Sequence, residues 1–558
     1  MLTKSNHSNK RHNGKLNKLW IYGIIGLIIF IFVQLIPNTS SDTIGVNQAS
    51  KIITKEQAKQ SAISYLNKDL NMKDEGNQIS VTYNSRPDIY GYLSKEGLLK
   101  SYGNQYAEKF PYDVFKVKFK NPNSVFKAIT VDVHMITGQV VGFEKMSITN
   151  NESKQLMLQI DPANAKFLLD REGPMTVAEK EIAALPYLKQ FGYEPNQLQL
   201  DNTSNGLGLR YQIKDFSIGQ AKAYIELQFE YKKVISIETY FSPPASHIAY
   251  VNSQTSLASW LTYAGYVFLT FVLAILAIIY SAKTRIYTSF KRGIFLSASY
   301  FVFSVIGTLN MLPVLEQSIT NHSVLIKSLI LQFGITLIMS FSIYFSLVGG
   351  DGLYRAQGKI LWKQRDEANY GEHVLQAMKL GYAWALILLG VQSILYFIME
   401  PIFGTWSTTD PTQSPYNMVY PLLFPLLAWV AGIGEEAVYR LFGIPMLRKL
   451  FRSTLVASIV TTVIWALGHT LYPIYPIYTR PIELLFIGLI FSFIFLKHGY
   501  IAAMFAHVIF DSILMALSLI LIGGSVNWIA GIFYIALPAI VAYVVYRFNR
   551  AKVTSISS

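Results

Sequence analysis

The chain contains no cysteine, so disulfide frameworks, thiolate nucleophiles and cysteine-based metal sites are excluded at the outset. It is also poor in charge. Only 15% of its 558 residues are Asp, Glu, Lys or Arg, where a soluble protein carries about a quarter. Several catalytic signatures are missing too. There is no His-Glu-x-x-His, which removes the usual zinc-protease helix. The intramembrane aspartyl signature Gly-x-Gly-Asp is not met, because Val348 stands where its first glycine belongs ahead of Gly350 and Asp351. No apolar stretch carries Gly-x-Ser-Gly, and there is no phosphate-binding loop.

In place of charge there is apolar length. Hydrophobic residues make up 51% of the chain and the mean hydropathy is +0.31. A membrane span needs about 20 apolar residues. Runs of that kind fill 19–37 and most of 256–546, whereas 38–251 reads as ordinary soluble sequence. The expected fold is a polytopic all-α membrane helix bundle with an inserted α+β extracytoplasmic domain. Its spans fall near 19–37, 256–281, 293–313, 324–348, 376–400, 420–446, 453–472, 483–496, 501–522 and 526–546, about ten in all. The expected divisions are a basic arm (1–18), an anchor (19–37), the external region (38–251), a first set of transmembrane helices (256–400), a catalytic bundle (401–546) and a tail (547–558). Gln34–Ser41 lacks a small-residue cleavage pattern, so the first run is expected to stay as an anchor. The polar connection 351–373 is expected to be solvated helix.

The net charge of +14 is placed by topology and not by nucleic acid, which is not an expected partner. Lys4, Lys10, Arg11, Lys15 and Lys18 precede the first apolar run. Lys283, Arg285, Lys291 and Arg292 share one loop, Arg448, Lys449 and Arg452 another, and Arg547, Arg550 and Lys552 close the chain; 404–420 has no Lys or Arg. This alternation follows the positive-inside rule and puts both termini in the cytoplasm. Membrane lipid is therefore a partner, and the basic tail can touch anionic headgroups. Nothing in the sequence fixes an oligomeric state.

Within the external region one pattern occurs twice. Thr54-Lys55-Glu56-Gln57 is a capping box that opens a helix with Ala58, Ala62, Tyr65 and Leu66 on one face. Alternating β sequence follows at Val114–Phe119 and Ile129–Val133, and a turn at Thr137-Gly138 leads into Val140–Phe143. A second capping box at Thr176–Glu179 leads through a helix to alternating sequence at Tyr224–Tyr231 and Val234–Tyr240. The first copy, from its Ile-Thr-Lys-Glu-Gln-Ala helix start to Thr137-Gly138-Gln139-Val140-Val141, resembles the PepSY domain family. That resemblance loosely implies peptide binding or restraint of a peptidase.

Ionisable side chains inside apolar helices are costly and are functional candidates by default. They cluster at three places. Glu435-Glu436-Ala437-Val438-Tyr439-Arg440 lies in mid-helix; Glu436 and Arg440, four apart, can pair, which leaves Glu435 without an obvious partner and suited to taking a proton from water. His469 follows Trp465 by four residues. His507 and Asp511 lie four apart on one helical face.

Taken in order, these motifs resemble the CPBP family, which includes the CAAX prenyl-protein endopeptidases and many bacterial relatives, over roughly 420–546. Tyr439 and Trp465 stand where that family usually has Phe, and Asp511 where it has Asn or Asp. The resemblance implies an intramembrane endopeptidase of a bacterial cell membrane, acting on a peptide or protein substrate. It also implies that Glu435 is the base activating water, assisted by His469. His507, oriented or assisted by Asp511, would stabilise the oxyanion, and Glu436 with Arg440 would lock the helix. No cofactor is favoured. Zinc on Glu435, His469 and His507 is the alternative, since His and carboxylate suit that metal. The rival function is a non-catalytic membrane sensor or bacteriocin-immunity-type binding protein on the same scaffold. On a simple topology His507 lies ten residues past Lys497, roughly 15 Å deep, while His469 falls nearer the opposite side. The two motifs are not expected to meet unless helices tilt or break.

Overall fold

The computed structural model describes residues 2–35, 52–70, 72, 77–120, 126–147, 175–201, 208–230, 232–319 and 321–556. Most of the Gln34–Ser41 segment lies outside them. The chain separates into a helical unit (1–43, 252–406 and 418–558) and a sheet unit (44–251 together with 407–417).

The sheet unit grows from period-two alternation. Strands β1 (Gln78–Ser85), β2 (Asp113–Lys120), β3 (Phe126–His134), β4 (Val140–Ser147), β5 (Leu198–Leu200), β6 (Gly208–Ile218), β7 (Ala221–Glu230) and β8 (Lys233–Ser242) form one antiparallel sheet in the order 1-2-3-4-8-7-6-5. Each half opens with one helix and contributes four strands, the first half adding two short helices, Pro87–Lys95 and Leu99–Gln105, between β1 and β2; the halves join through their last strands, Phe143 opposite Ile237. Both helices, Lys55–Lys68 and Val177–Gln190, start at the anticipated boxes. Thr54 is bonded reciprocally to Gln57, and Thr176 to Glu179. The inward residues Val117, Val131, Val133, Ile225 and Leu227 are fully buried and form one core with the Ala58–Ala62–Leu66 face of the first helix.

One segment departs from the sequence expectation. Residues 407–417, assigned there to the catalytic bundle, belong to the sheet unit. Asn417 acts as a partner for edge strand β1: its Oδ1 accepts from the Tyr83 N–H at 2.6 Å and its Nδ2 donates to the Tyr83 carbonyl at 2.8 Å. Thr408 and Thr409 add hydrogen bonds to the Pro87 carbonyl and the Ser85 hydroxyl. An exposed strand edge leaves N–H and C=O groups unpaired, and this strap satisfies those of Tyr83.

Among the described residues eight helices are long and apolar enough to cross a membrane: Leu16–Leu35, Ala245–Lys283, His322–Arg355, Tyr370–Phe403, Pro421–Phe451, Thr479–His498, Tyr500–Leu521 and Ser525–Arg550. Two further expected spans are shorter apolar helices, Ile294–Asn310 with 17 residues and Thr454–Leu467 with 14. The protein is thus an integral membrane helix bundle with an inserted α+β unit. The first helix crosses Tyr370–Phe403 at Gly26 and Gly390, where a Cβ on Gly390 would fall 2.5 Å from the Gly26 Cα. Helices in lipid approach closely through such small residues. The 351–373 connection is turns and not the expected solvated helix between 356 and 369. Asp351 is buried and draws the chain in by accepting from Thr288 and Arg355, each at 2.7 Å; Arg355 also reaches Glu367 at 2.6 Å.

Candidate active site

Helix Leu427–Glu435 continues from Glu436 to Gly443 as π-helix. Such wide turns are uncommon and recur at functional sites. The transition falls between the two glutamates, and their environments differ. Glu436 is wholly buried, whereas 27% of the Glu435 side chain is exposed.

The expected Glu436–Arg440 pair is present, with Nη1 donating to Oε1 at 3.0 Å and both side chains fully buried. Arg440 Cζ also lies over the Trp465 ring, 4.6 Å from its centroid, and 5.5 Å from that of Phe491. Gly488 makes room for this: a Cβ there would stand 2.4 Å from Thr462 and 3.0 Å from Arg440 Nη2.

Helix Tyr500–Leu521 brings in His507 and Asp511. His507 Nδ1 donates to Glu436 Oε1 at 2.8 Å. Its Nε2 is 3.7 Å from Glu435 Oε2 and 3.5 Å from Asp511 Oδ2. The ring stacks on Phe491 at 4.4 Å. The residue that orients His507 is therefore Glu436, with Asp511 on the opposite ring nitrogen. The sequence reading offered Asp511 as orienting or assisting His507; the Nδ1 side is held by Glu436, and Asp511 stands 3.5 Å from Nε2. The physical reason is reach. Glu436 lies on the facing helix in line with Nδ1, and Asp511, one turn along His507's own helix, reaches only the Nε2 side.

The depth conflict between His469 and His507 disappears because helix Thr454–Leu467 is short. At about 1.5 Å per residue it rises roughly 21 Å, so it ends inside the bundle. Trp465, in its last turn, donates its indole N–H to Glu435. His469, just past the end, donates Nδ1–H to the Trp465 carbonyl at 3.0 Å, since a carbonyl can only accept. This leaves His469 Nε2 with its lone pair. Tyr472 stacks over the ring at 5.7 Å. Glu435, Glu436, Arg440, His507 and Asp511 thus form one connected set, with His469 joined to it through Trp465.

Sequence reasoning missed two features. Trp465 stands where the resembled family usually has Phe, and its indole N–H is the hydrogen-bond donor that Glu435 lacked; the difference between indole and phenyl was the available signal. Arg480 and Glu483 form a second intramembrane pair at 2.6 Å. Arg480 also donates to the Tyr396 hydroxyl at 2.8 Å, and Glu483 accepts from Gln392 at 2.8 Å. Opposite charges three apart at the head of an apolar helix were the legible sign.

Among the described residues no three His, Asp or Glu side chains converge as metal ligands. His507 and His469 each hold an oxygen through Nδ1, which fixes the ring and leaves Nε2 as the second nitrogen.

Residues 417–513 match the family described as type II CAAX prenyl endopeptidase Rce1-like, so this stretch is a domain of that protease family. The chain is also distantly similar to the sporulation-killing factor biosynthesis protein SkfC of Bacillus subtilis (strain 168), 25% identical over 197 residues. That match covers 33% of this chain and 36% of the relative's own length. No solved structure matches.

Proposed function

We propose that the protein is an intramembrane endopeptidase that hydrolyses peptide bonds of membrane-associated proteins or peptides, with Glu435 activating the attacking water. One observation carries the reading. Of two adjacent glutamates, one is sealed and fixes His507 through Nδ1, while the other keeps 27% of its side chain exposed and lies 3.7 Å from Nε2 of the same imidazole. A purely structural ion pair needs Glu436 and Arg440 but has no use for this arrangement of Glu435.

A water bound to Glu435 gives up its proton to the carboxylate as its oxygen attacks the scissile carbonyl carbon. His469 Nε2 accepts the water's second hydrogen and aims it. Negative charge then gathers on the former carbonyl oxygen. His507, with Nδ1–H held by Glu436, presents Nε2–H to that charge. Asp511, as a carboxylate, cannot donate to the oxyanion and acts on it only through His507. On collapse the C–N bond breaks and Glu435 returns its proton to the leaving nitrogen.

The test compares membrane proteomes carrying wild-type protein and Glu435→Gln. Fragments with new termini at a transmembrane or juxtamembrane site should be present with the wild type and absent with the variant. Identical fragment sets, with intact protein in both, would overturn the reading. Activity that disappears on prolonged chelation and returns with zinc would overturn the metal-free form of it.

The basic clusters also support an orientation in the bacterial cell membrane with both termini in the cytoplasm and the sheet unit outside. A reporter active only in the cytoplasm, inserted at the Gly219–Gln220 turn, should give no signal. A strong signal would reverse the topology.

A further inference from the structure

The sheet unit contains a cavity of its own, unrelated to Glu435. It has a volume of about 370 Å³ and lies between the start of β2, the end of β3 and the 407–417 strap. That size falls toward the small end of the ligand-pocket range. Its walls are aromatic and aliphatic: Tyr83, Tyr112 and Tyr416 on one side, Pro111, Met135 and Ile136 among the rest.

Its charge has one sign. The charged side chains lining it are Asp113 and Glu108, with no Lys or Arg among them. Nearby cations are engaged elsewhere. Arg86 is paired with Glu238 and lies over Tyr240, Lys116 faces Asp132 at 3.6 Å, and Lys109 sits 4.1 Å from the Tyr193 ring centroid. His134 lines the cavity but has both ring nitrogens committed. Nε2–H donates to the Ala107 carbonyl at 3.1 Å, and Nδ1 accepts from the Ile136 and Thr137 N–H groups at 2.9 and 3.3 Å. It is therefore a neutral part of the wall. Asp113 is held in place by the Tyr83 hydroxyl, which donates to Oδ1 at 2.9 Å. A carboxylate fixed among tyrosine faces in a part-apolar cavity is the combination that receives an organic ammonium, by ion pairing and by cation–π attraction.

We infer that this cavity binds a primary ammonium carried on an apolar body, with the ammonium at Asp113 and the tyrosine rings and the apolar body against Pro111, Met135 and Ile136. Glu108, at the exposed rim, contributes long-range attraction and no specific contact. The inference does not depend on hydrolysis at Glu435.

The structure supplies a clean way to close the site. Gly103 lines the cavity from helix Leu99–Gln105, and a Cβ there would meet nothing within 4 Å. Gly103→Leu therefore adds bulk at the cavity wall with no clash at its Cβ and improves helix propensity. The experiment is calorimetric titration of the full chain in detergent with 2-phenylethylamine, its neutral isostere 2-phenylethanol and the anion 3-phenylpropionate. The amine should bind at least about tenfold more tightly than the alcohol, in line with a hydrogen bond to a charged group, and the carboxylate should give no heat. Gly103→Leu should abolish binding and Asp113→Asn should weaken it at least about tenfold. Glu108→Gln should weaken it about two- to threefold. Each variant's melting temperature reports its folding. Equal binding of amine and alcohol, or undiminished amine binding by folded Gly103→Leu, would overturn the assignment.

Discussion

In the sheet unit Lys116 and Asp132 stand 3.6 Å apart, with 25% and 15% of their side chains in solvent. In the helical unit Arg440 and Glu436 stand 3.0 Å apart with none. The two pairs have the same chemistry and opposite consequences. Water screens the first, so its charges are nearly interchangeable with neutral groups, and such pairs contribute about 0–1 kcal/mol. The second has no solvent to fall back on, so each charge depends on its partner. Helices of low charge gather several of their ionisable groups in a few places where opposite charges meet, and those places are where chemistry can be done. The sheet unit spreads its charge over its surface and keeps only Asp113 and Glu108 at its cavity.

The largest expected effect tests whether the buried network is catalytic and not merely structural. Glu435→Gln keeps the shape and can still accept the Trp465 indole N–H, but it cannot take a proton. Turnover in proteoliposomes should fall on the order of 10²–10⁴-fold, with the melting temperature nearly unchanged. A matching loss of stability would make Glu435 a structural residue. Glu436→Gln should show the reverse weighting. It leaves Arg440 and His507 without their shared anion, and a broken buried pair costs about 3–5 kcal/mol, measurable as a drop in the detergent unfolding midpoint. Glu483→Gln probes the second pair in the same way. Arg480 keeps 16% of its side chain exposed and retains Tyr396, so the loss should be smaller, on the order of 1–3 kcal/mol. A larger loss than in Glu436→Gln would invert the ranking by burial.

In the sheet unit the effects shrink and become dependent on pH. Burial raises the Asp113 carboxyl from its usual range to about 6, although the Ser85 and Tyr83 hydroxyls oppose the rise. A raised carboxyl contributes stability that is present below the unfolded value near pH 4 and lost as pH climbs through about 6. Asp113→Asn should remove that slope, so melting curves of wild type and variant should converge toward pH 4 and separate toward pH 7, the variant melting higher. Parallel curves across the window would show that Asp113 is not buried as described. Lys116→Ala should be the mildest change, under about 1 kcal/mol. A cost comparable to Glu436→Gln would erase the contrast between the units.

Much of this was legible in the sequence because it is periodic or local. Alternation at Val114–Phe119 and Ile129–Val133 marked β2 and β3, and the threonines of the two capping boxes marked both helix starts. The three motifs named the ionisable residues that the structure brings together in the helical unit. What was not legible acts at a distance or through geometry without a pattern. The π-helical turn after Glu435 has no sequence period, and the short Thr454–Leu467 helix looked like a full span. The partner of His507 could not be chosen between two carboxylates from spacing alone. Asn417, an ordinary loop residue by composition, gave no hint that it pairs with Tyr83.

That last pairing has a bearing on biosynthesis. Tyr83 and Asn417 are 334 residues apart, and ribosomes add about 5–20 residues per second. For roughly 20 s to a minute after β1 is made, the chain that completes its edge does not yet exist. The nascent sheet must pass that interval with Tyr83 uncapped, open to pairing with another nascent chain, and only synthesis of the loop ahead of the Glu435 helix closes it.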